Sequence, residues 1–179
     1  MSNRDKRRPV QGRKKRRETD TELSREQISE VVDGGDGGPI YKDLTKSGKR
    51  YQFYKSHHGQ GTPDDAQWLK EIGYREEFGI FSESDQKCIS DQHGNLFGIK
   101  HKHKIVLELG TRGERIAKFW CPSEGSPWHG FPLYPLKRNV PENRKGYGCR
   151  PPKDVFLRMQ SCGLVSERDR IRLYRGDYR

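Results

Sequence analysis

Apolar and polar residues alternate most regularly in the second half of the chain. Leu96–Leu109 and Glu114–Cys121 each read as strands, joined by the tight connection Gly110-Thr111-Arg112-Gly113. Gln86–Ser90, followed by the turn Asp91-Gln92-His93-Gly94-Asn95, adds a hairpin in front of them. In the long segment His101, His103, Ile105, Leu107 and Leu109 share one face, and Lys102, Lys104, Val106 and Glu108 share the other. The apolar members set the odd face on the core. His101 and His103 then continue that face toward the sheet end, where a core opens into a cleft. On the return strand Arg115, Ala117, Phe119 and Cys121 alternate with Ile116, Lys118 and Trp120, so Lys118 falls among residues of buried type.

Earlier in the chain, Ile40–Leu44 and Lys49–Lys55 read as strands around a Ser47-Gly48 turn, with Tyr51, Phe53 and Lys55 on one side. Thr62 followed by Pro63, Asp64 and Asp65 is a helix start: a hydroxyl cap, a first-turn proline and carboxylates at the positive end of the dipole. Trp68, Leu69 and Ile72 supply its buried stripe and Gly73 its end, which predicts a helix over 63–72. Phe78, Ile80 and Phe81 then fall in a linking segment. Upstream, Ser24 and Gln27 have capping-box spacing, and Ile28, Val31 and Val32 form a small stripe, so 24–32 reads as a short helix for docking a partner. The segment 122–140 reads as an ordered loop or edge strand fixed by Trp128, Phe131 and Tyr134. Asp154 and Ser166 open two short C-terminal helices.

These elements predict an α+β fold: a curved antiparallel sheet packed on one helix, with short C-terminal helices. Residues 1–23 read as a disordered basic arm, 24–38 as a short helix with a Gly-rich linker, and 39–179 as a compact domain. No apolar run approaches the ~20 residues of a bilayer span, and the expected location is cytoplasmic. Cys88, Cys121, Cys149 and Cys162 form no C-x-x-C pair, which argues against a zinc ribbon; neither metal nor cofactor is expected.

Charge changes the picture most. The net charge is +11, and residues 1–17 carry nine Lys/Arg against one Asp, while 137–179 carry twelve against five acidic residues. The stretch between them is net acidic. A chain charged this way at its ends suits a polyanion, with nucleic acid the first choice and no membrane partner implied. Arg7, Arg8, Arg13, Lys14, Lys15, Arg16 and Arg17, with Lys137 and Arg138, are the expected phosphate contacts, and Trp128 is an expected exposed stacking surface. RNA is favoured over DNA, because aromatic-rich loops suit unstacked bases and no element offers a clear major-groove reader.

Two other functions fit the same residues. The first is a metal-independent endoribonuclease of toxin or defence type. His101 or His103 would serve as base and His129 (in Trp128-His129-Gly130-Phe131) as acid, with Arg115 or Lys118 on the phosphate. The second is a protein–protein module whose basic arm meets an acidic partner. The His57-His58-Gly59 loop leads toward the expected helix start and is a further anion-site shape, although Asp64 and Asp65 there would repel phosphate.

Overall fold

The computed structural model describes residues 28–31, 37–42, 44–62, 65–133 and 150–177. The basic arm, Tyr134, Lys137, Arg138 and Cys149 therefore lie outside the described residues. The fold is mixed α+β with antiparallel sheets. Strands β1 (Ile28–Val31), β2 (Gly37–Tyr41) and β3 (Gln52–Tyr54) form one sheet in that order. Strands β4 (Leu96–Gly98), β7 (Ile116–Trp120) and β8 (His129–Leu133) form the second, in the order β4-β7-β8. A two-residue hairpin pairs β5 (His101–Lys102) with β6 (Ile105–Val106).

The two larger sheets meet edge to edge. Tyr51 bridges Trp128 in parallel, Gln52 N donates to Trp128 O (2.7 Å), and Trp128 N donates to Arg50 O (2.9 Å). One face of the joined sheet is covered by α1 (Tyr74–Gln86), where Tyr51, Phe53, Phe78, Phe81, Leu96, Phe119 and Trp128 form a largely aromatic core. On the other face Phe97, Ile116 and Leu133 join Val155, Phe156 and Met159 of α2 (Lys153–Ser161) and Leu173 of α3 (Glu167–Arg175). Alternation along β4 and β7 serves both cores at once: Leu96 and Phe119 point to α1, Phe97 and Ile116 to α2. Gly98 lets α1 approach closely, since a Cβ there would strike Ser84 Oγ and Ile80 Cγ2.

Several expectations change. The helix over 63–72 does not form among the described residues of that segment. Its anchors are buried, but their backbone bonds go elsewhere: Trp68 N to His57 O (2.9 Å) and Leu69 N to Leu109 O (2.7 Å). Asp65 bonds back to Thr62, closing a turn instead of starting a helix. The helix lies one segment later, in the stretch expected to be a linker. Tyr74, Phe78 and Phe81 recur there at spacings of four and three, which is a helical stripe. The helix expected over 24–32 is replaced at Ile28–Val31 by strand β1, antiparallel to β2. Two turns of isolated helix are marginal, and β-branched residues beside a ready strand favour the ladder. The docking role assigned to that helix loses its basis.

The long strand 96–109 is broken. His103 (φ 52°) and Lys104 (φ 67°) are both left-handed and form the turn of the β5–β6 hairpin, which pairs His101 with Val106 and Lys102 with Ile105. Face parity therefore ends at Lys102; Ile105 is 60 % exposed, not in the core. Gln86 closes α1, and only Ser90 of 86–90 keeps a strand-like bridge, to Leu96. The two C-terminal helices stand where expected, with Ser166 Oγ accepting from Asp169 N (3.1 Å) as the cap of α3.

Asp85 near the end of α1 ties the helix to the β2–β3 turn, accepting from Ser47 Oγ and Lys49 Nζ. Burial works against its ionisation, but the hydrogen bonds from Lys49, Ser47 and Thr45 outweigh it and hold the carboxyl below its ordinary value. The stabilisation from a depressed carboxyl is complete above the unfolded value, ~4, and is lost as pH falls through the folded value. Asp85→Asn should therefore lower the unfolding free energy at pH 7, and the gap from wild type should close on acidification. Denaturant titrations at several pH values read this directly; a gap that persists at the lowest pH contradicts the role of the ionised carboxylate.

Candidate functional site

The side chains of β8 and β7 alternate between the two faces of the sheet. Gly130 turns toward the α1 side, where a Cβ would strike the Phe119 ring, and Tyr51 packs beside it. His129 and Phe131 therefore point to the opposite face, with Lys118 and Trp120, their register partners on β7. Tyr54 follows the same alternation at the end of β3, after the buried Tyr51 and Phe53. The chain then makes a single 3-10 turn over Lys55–His57, which returns His57 to the same place.

The result is a cluster of four half-buried rings. Tyr54 stacks on His129 with centroids 4.3 Å apart and an interplanar angle of 28°. His57 lies 5.4 Å from Phe131 and 6.4 Å from Tyr54. His57 Nδ1–H donates to Ala66 O (2.9 Å), an assignment of the tautomer that leaves Nε2 as the acceptor nitrogen. Beside the rings, Lys118 Nζ sits 4.4 Å from the centroid of Trp120, the exposed aromatic of the group. Burial pushes the Lys118 ammonium below its ordinary value, with the charge of Asp91 opposing. A desolvated cation and flat π surfaces on one sheet face can hold a phosphate and stack unpaired bases.

The residues expected from sequence divide between this site and other places. His129 and Lys118 are in it. Trp128 is not an exposed stacking surface: it is 8 % exposed, in the α1 core against Phe81, because it bridges Tyr51 on the inward side. Trp120 takes the exposed position that Trp128 was expected to hold. His101 is surrounded by Glu83, Lys87 and Asp169, and burial lowers its imidazole from the ordinary value before those charges act. His103 is exposed in the hairpin turn. The geometry thus separates His101 and His103 from the ring cluster that contains His129. Arg115 is engaged, donating from Nη1 to Val106 O (2.6 Å) and from Nη2 to Glu108 Oε1 (2.7 Å). His57 was read as part of an anion loop; its ring joins the cluster because the 3-10 turn follows β3 immediately.

The other histidine of that loop has a structural place. His58 Nε2–H donates to Glu77 Oε2 (2.6 Å), and Tyr51 Oη donates to the other oxygen of the same carboxylate. Among the described residues no group of three or more His, Cys, Asp and Glu is placed to hold a metal ion. No helix there is long and apolar enough to cross a membrane. Comparison with family models, with curated proteins and with solved structures finds no match to this chain.

A buried ammonium that serves only packing is replaceable by an apolar chain of similar length, with stability neutral or improved. Lys118→Met should leave the melting temperature unchanged or raise it while weakening binding of single-stranded RNA, read by calorimetry and fluorescence anisotropy. A clear loss of stability with unaltered binding makes Lys118 a structural anchor for Trp120 instead.

Proposed function

We propose that this protein binds nucleic acid, with single-stranded RNA the favoured form. The observation that supports it best is the ring cluster Tyr54–His57–His129–Phe131 beside the Lys118–Trp120 pair on one face of the sheet. Stacking on such surfaces tolerates any base, because every base has a π face. The basic segments 1–17 and 137–179 supply the long-range attraction and phosphate contacts, and the net charge of +11 favours fast encounter with a polyanion. On this reading Arg7, Arg8, Arg13, Lys14, Lys15, Arg16, Arg17, Lys137 and Arg138 act on the backbone, and Trp120 takes the stacking role once given to Trp128.

A specific observation also favours a second reading, metal-independent cleavage of RNA. His57 has its tautomer set by the Ala66 carbonyl, which suits Nε2 to act as a base, and His129 shares its ring cluster. In this second reading His57 and His129 would serve as the acid–base pair in place of His101 or His103, with Lys118 as the cation. A protein–protein module with a basic arm is the remaining rival.

Electrostatic and stacking contributions separate in one salt titration. Removing residues 1–17 should flatten the dependence of log K on log salt, since fewer counterions are released. Trp120→Ala should weaken binding by about 1–3 kcal/mol at every salt concentration and leave the slope alone. An unchanged slope in the truncated chain, or unchanged affinity in Trp120→Ala, contradicts the division of labour. The same samples kept in excess EDTA report on cleavage: 2′,3′-cyclic ends lost in His57→Ala and His129→Ala support the catalytic reading, and intact RNA rejects it. Failure of wild type to bind any RNA hands the basic arm to an acidic protein partner.

A further inference from the structure

The run Lys100-His101-Lys102-His103-Lys104 carries basic side chains alone, and it leads through the β5–β6 hairpin. The base of that hairpin is fixed. Leu107 N donates to Lys100 O (2.8 Å), Arg115 Nη1 donates to Val106 O (2.6 Å), and Ile99 and Val106 are buried in the core that α2 covers. His101 is paired with Val106 and shares its face of the ribbon, where the charges of Glu83, Lys87 and Asp169 act on it. Lys102 and Ile105, the next pair, therefore occupy the opposite face.

That outer face and the tip are open. Lys102, His103 and Lys104 are exposed, and among the described residues their side chains have no ion-pair or hydrogen-bond partner. Ile105 is more exposed than any other large apolar side chain of the described residues. The turn is also an unfavourable one for its sequence: Lys104 sits in the left-handed region without the preference for it that Gly or Asn has. Neither the strained basic turn nor the uncovered Ile105 is accounted for by the packing of the fold, and residues held in such a conformation cluster at functional sites.

The chemistry of the tip selects its partner. It has no Tyr, Trp or Phe to stack an unpaired base, unlike the face of Tyr54 and Trp120. Its two ammonium groups suit phosphates, Ile105 suits the apolar flank of a ribose, and the imidazole of His103 can exchange a hydrogen bond with a hydroxyl. These features meet in the minor groove of an RNA duplex, which is wide and shallow and displays 2′-hydroxyls between its phosphates. A two-stranded ribbon is also slim enough to enter a nucleic-acid groove. We propose that the β5–β6 hairpin docks in the minor groove of an RNA duplex, with Lys102 and Lys104 on phosphates, His103 on a 2′-hydroxyl and Ile105 on the sugars. This rests on the proposed RNA binding and adds a base-paired segment to its ligand. The two contacts are separate: Gly98 pairs with Ala117, so β4 leads into the hairpin at the end of β7 opposite Trp120.

Fluorescence anisotropy of the full chain with a blunt RNA duplex, the matching DNA duplex and single-stranded oligouridine tests the hairpin. Wild type should bind the RNA duplex more tightly than the DNA duplex. Lys102→Gln and Lys104→Gln together should weaken RNA-duplex binding about tenfold and flatten the slope of log K against log salt by about two, one for each phosphate. Oligouridine binding should change by less than about twofold in the same variant. A relaxed turn, His103→Asn with Lys104→Gly, should hold or raise the melting temperature while it weakens duplex binding, a combination that a merely structural turn would not give. RNA-duplex affinity unchanged in both variants overturns the hairpin assignment, and equal affinity of wild type for the two duplexes overturns the minor-groove placement. Oligouridine binding with no duplex binding overturns the hairpin alone. No binding of either RNA overturns the parent reading and the hairpin with it.

Discussion

Glu77 is 1 % exposed in the aromatic core, and both of its oxygens are held by side chains from elsewhere in the chain. Tyr51 from the edge of β3 takes one, and His58 from the loop after β3 takes the other. Burial first, then the charge of Glu77 and the hydrogen bond to it, push the Tyr51 phenol well above its ordinary range, so it remains a donor. Removing either donor leaves a buried oxygen of Glu77 without its hydrogen bond, a loss of about 1–3 kcal/mol. That is a large share of the stability of a small domain. The carboxylate thus fixes α1, β3 and the following loop to one another, and the geometry of the candidate face depends on it.

The dependence follows bond by bond. Tyr51 holds β3 at the edge of β8 through its bridge to Trp128, and so joins the two three-stranded sheets. With β3 in that register, Tyr54 lies over His129. With His58 tied to Glu77 and edge-on to Tyr74, the 3-10 turn is fixed and His57 is turned toward Phe131. One His of the adjacent pair anchors the loop and its neighbour reaches the open face. Gly130 completes the arrangement, because a side chain there would collide with Phe119 and with the Tyr51 hydroxyl. The core and the proposed binding surface are two sides of one strand junction.

How much of this was legible in the sequence depends on whether the deciding interaction is local. The α+β class, the β2–β3 connection, the return strand and both C-terminal helices rest on alternation, turn residues and caps, and they stand. The Thr62-Pro63-Asp64-Asp65 signal failed because capping chemistry also closes turns, and the bonds of Trp68 and Leu69 to His57 and Leu109 are long-range. The stripe of α1 is present in the sequence at Tyr74, Phe78 and Phe81, but the helix-start signal before it is the stronger of the two. The break at His103-Lys104 was not legible: His tolerates a left-handed conformation, but Lys has no such preference and the pair lacks the Asn-Gly or Asp-Gly signature of a two-residue hairpin turn. Of the candidate site, residue type singles out His129 and face parity singles out Lys118. Tyr54 and His57 were not placed there, since only the parallel contact of β3 with β8 brings them together.

The proposed function puts RNA on the face shared by β3, β7 and β8. Ultraviolet crosslinking of the full chain to single-stranded oligouridine, with peptide mapping, tests that placement most directly. RNA on that face should give crosslinks at Tyr54, Trp120, His129 or Phe131, and none at Trp128 or Trp68 in the core. Crosslinks confined to residues 1–17, with the ring cluster unmarked, would contradict it and leave the sheet face without a nucleic-acid role.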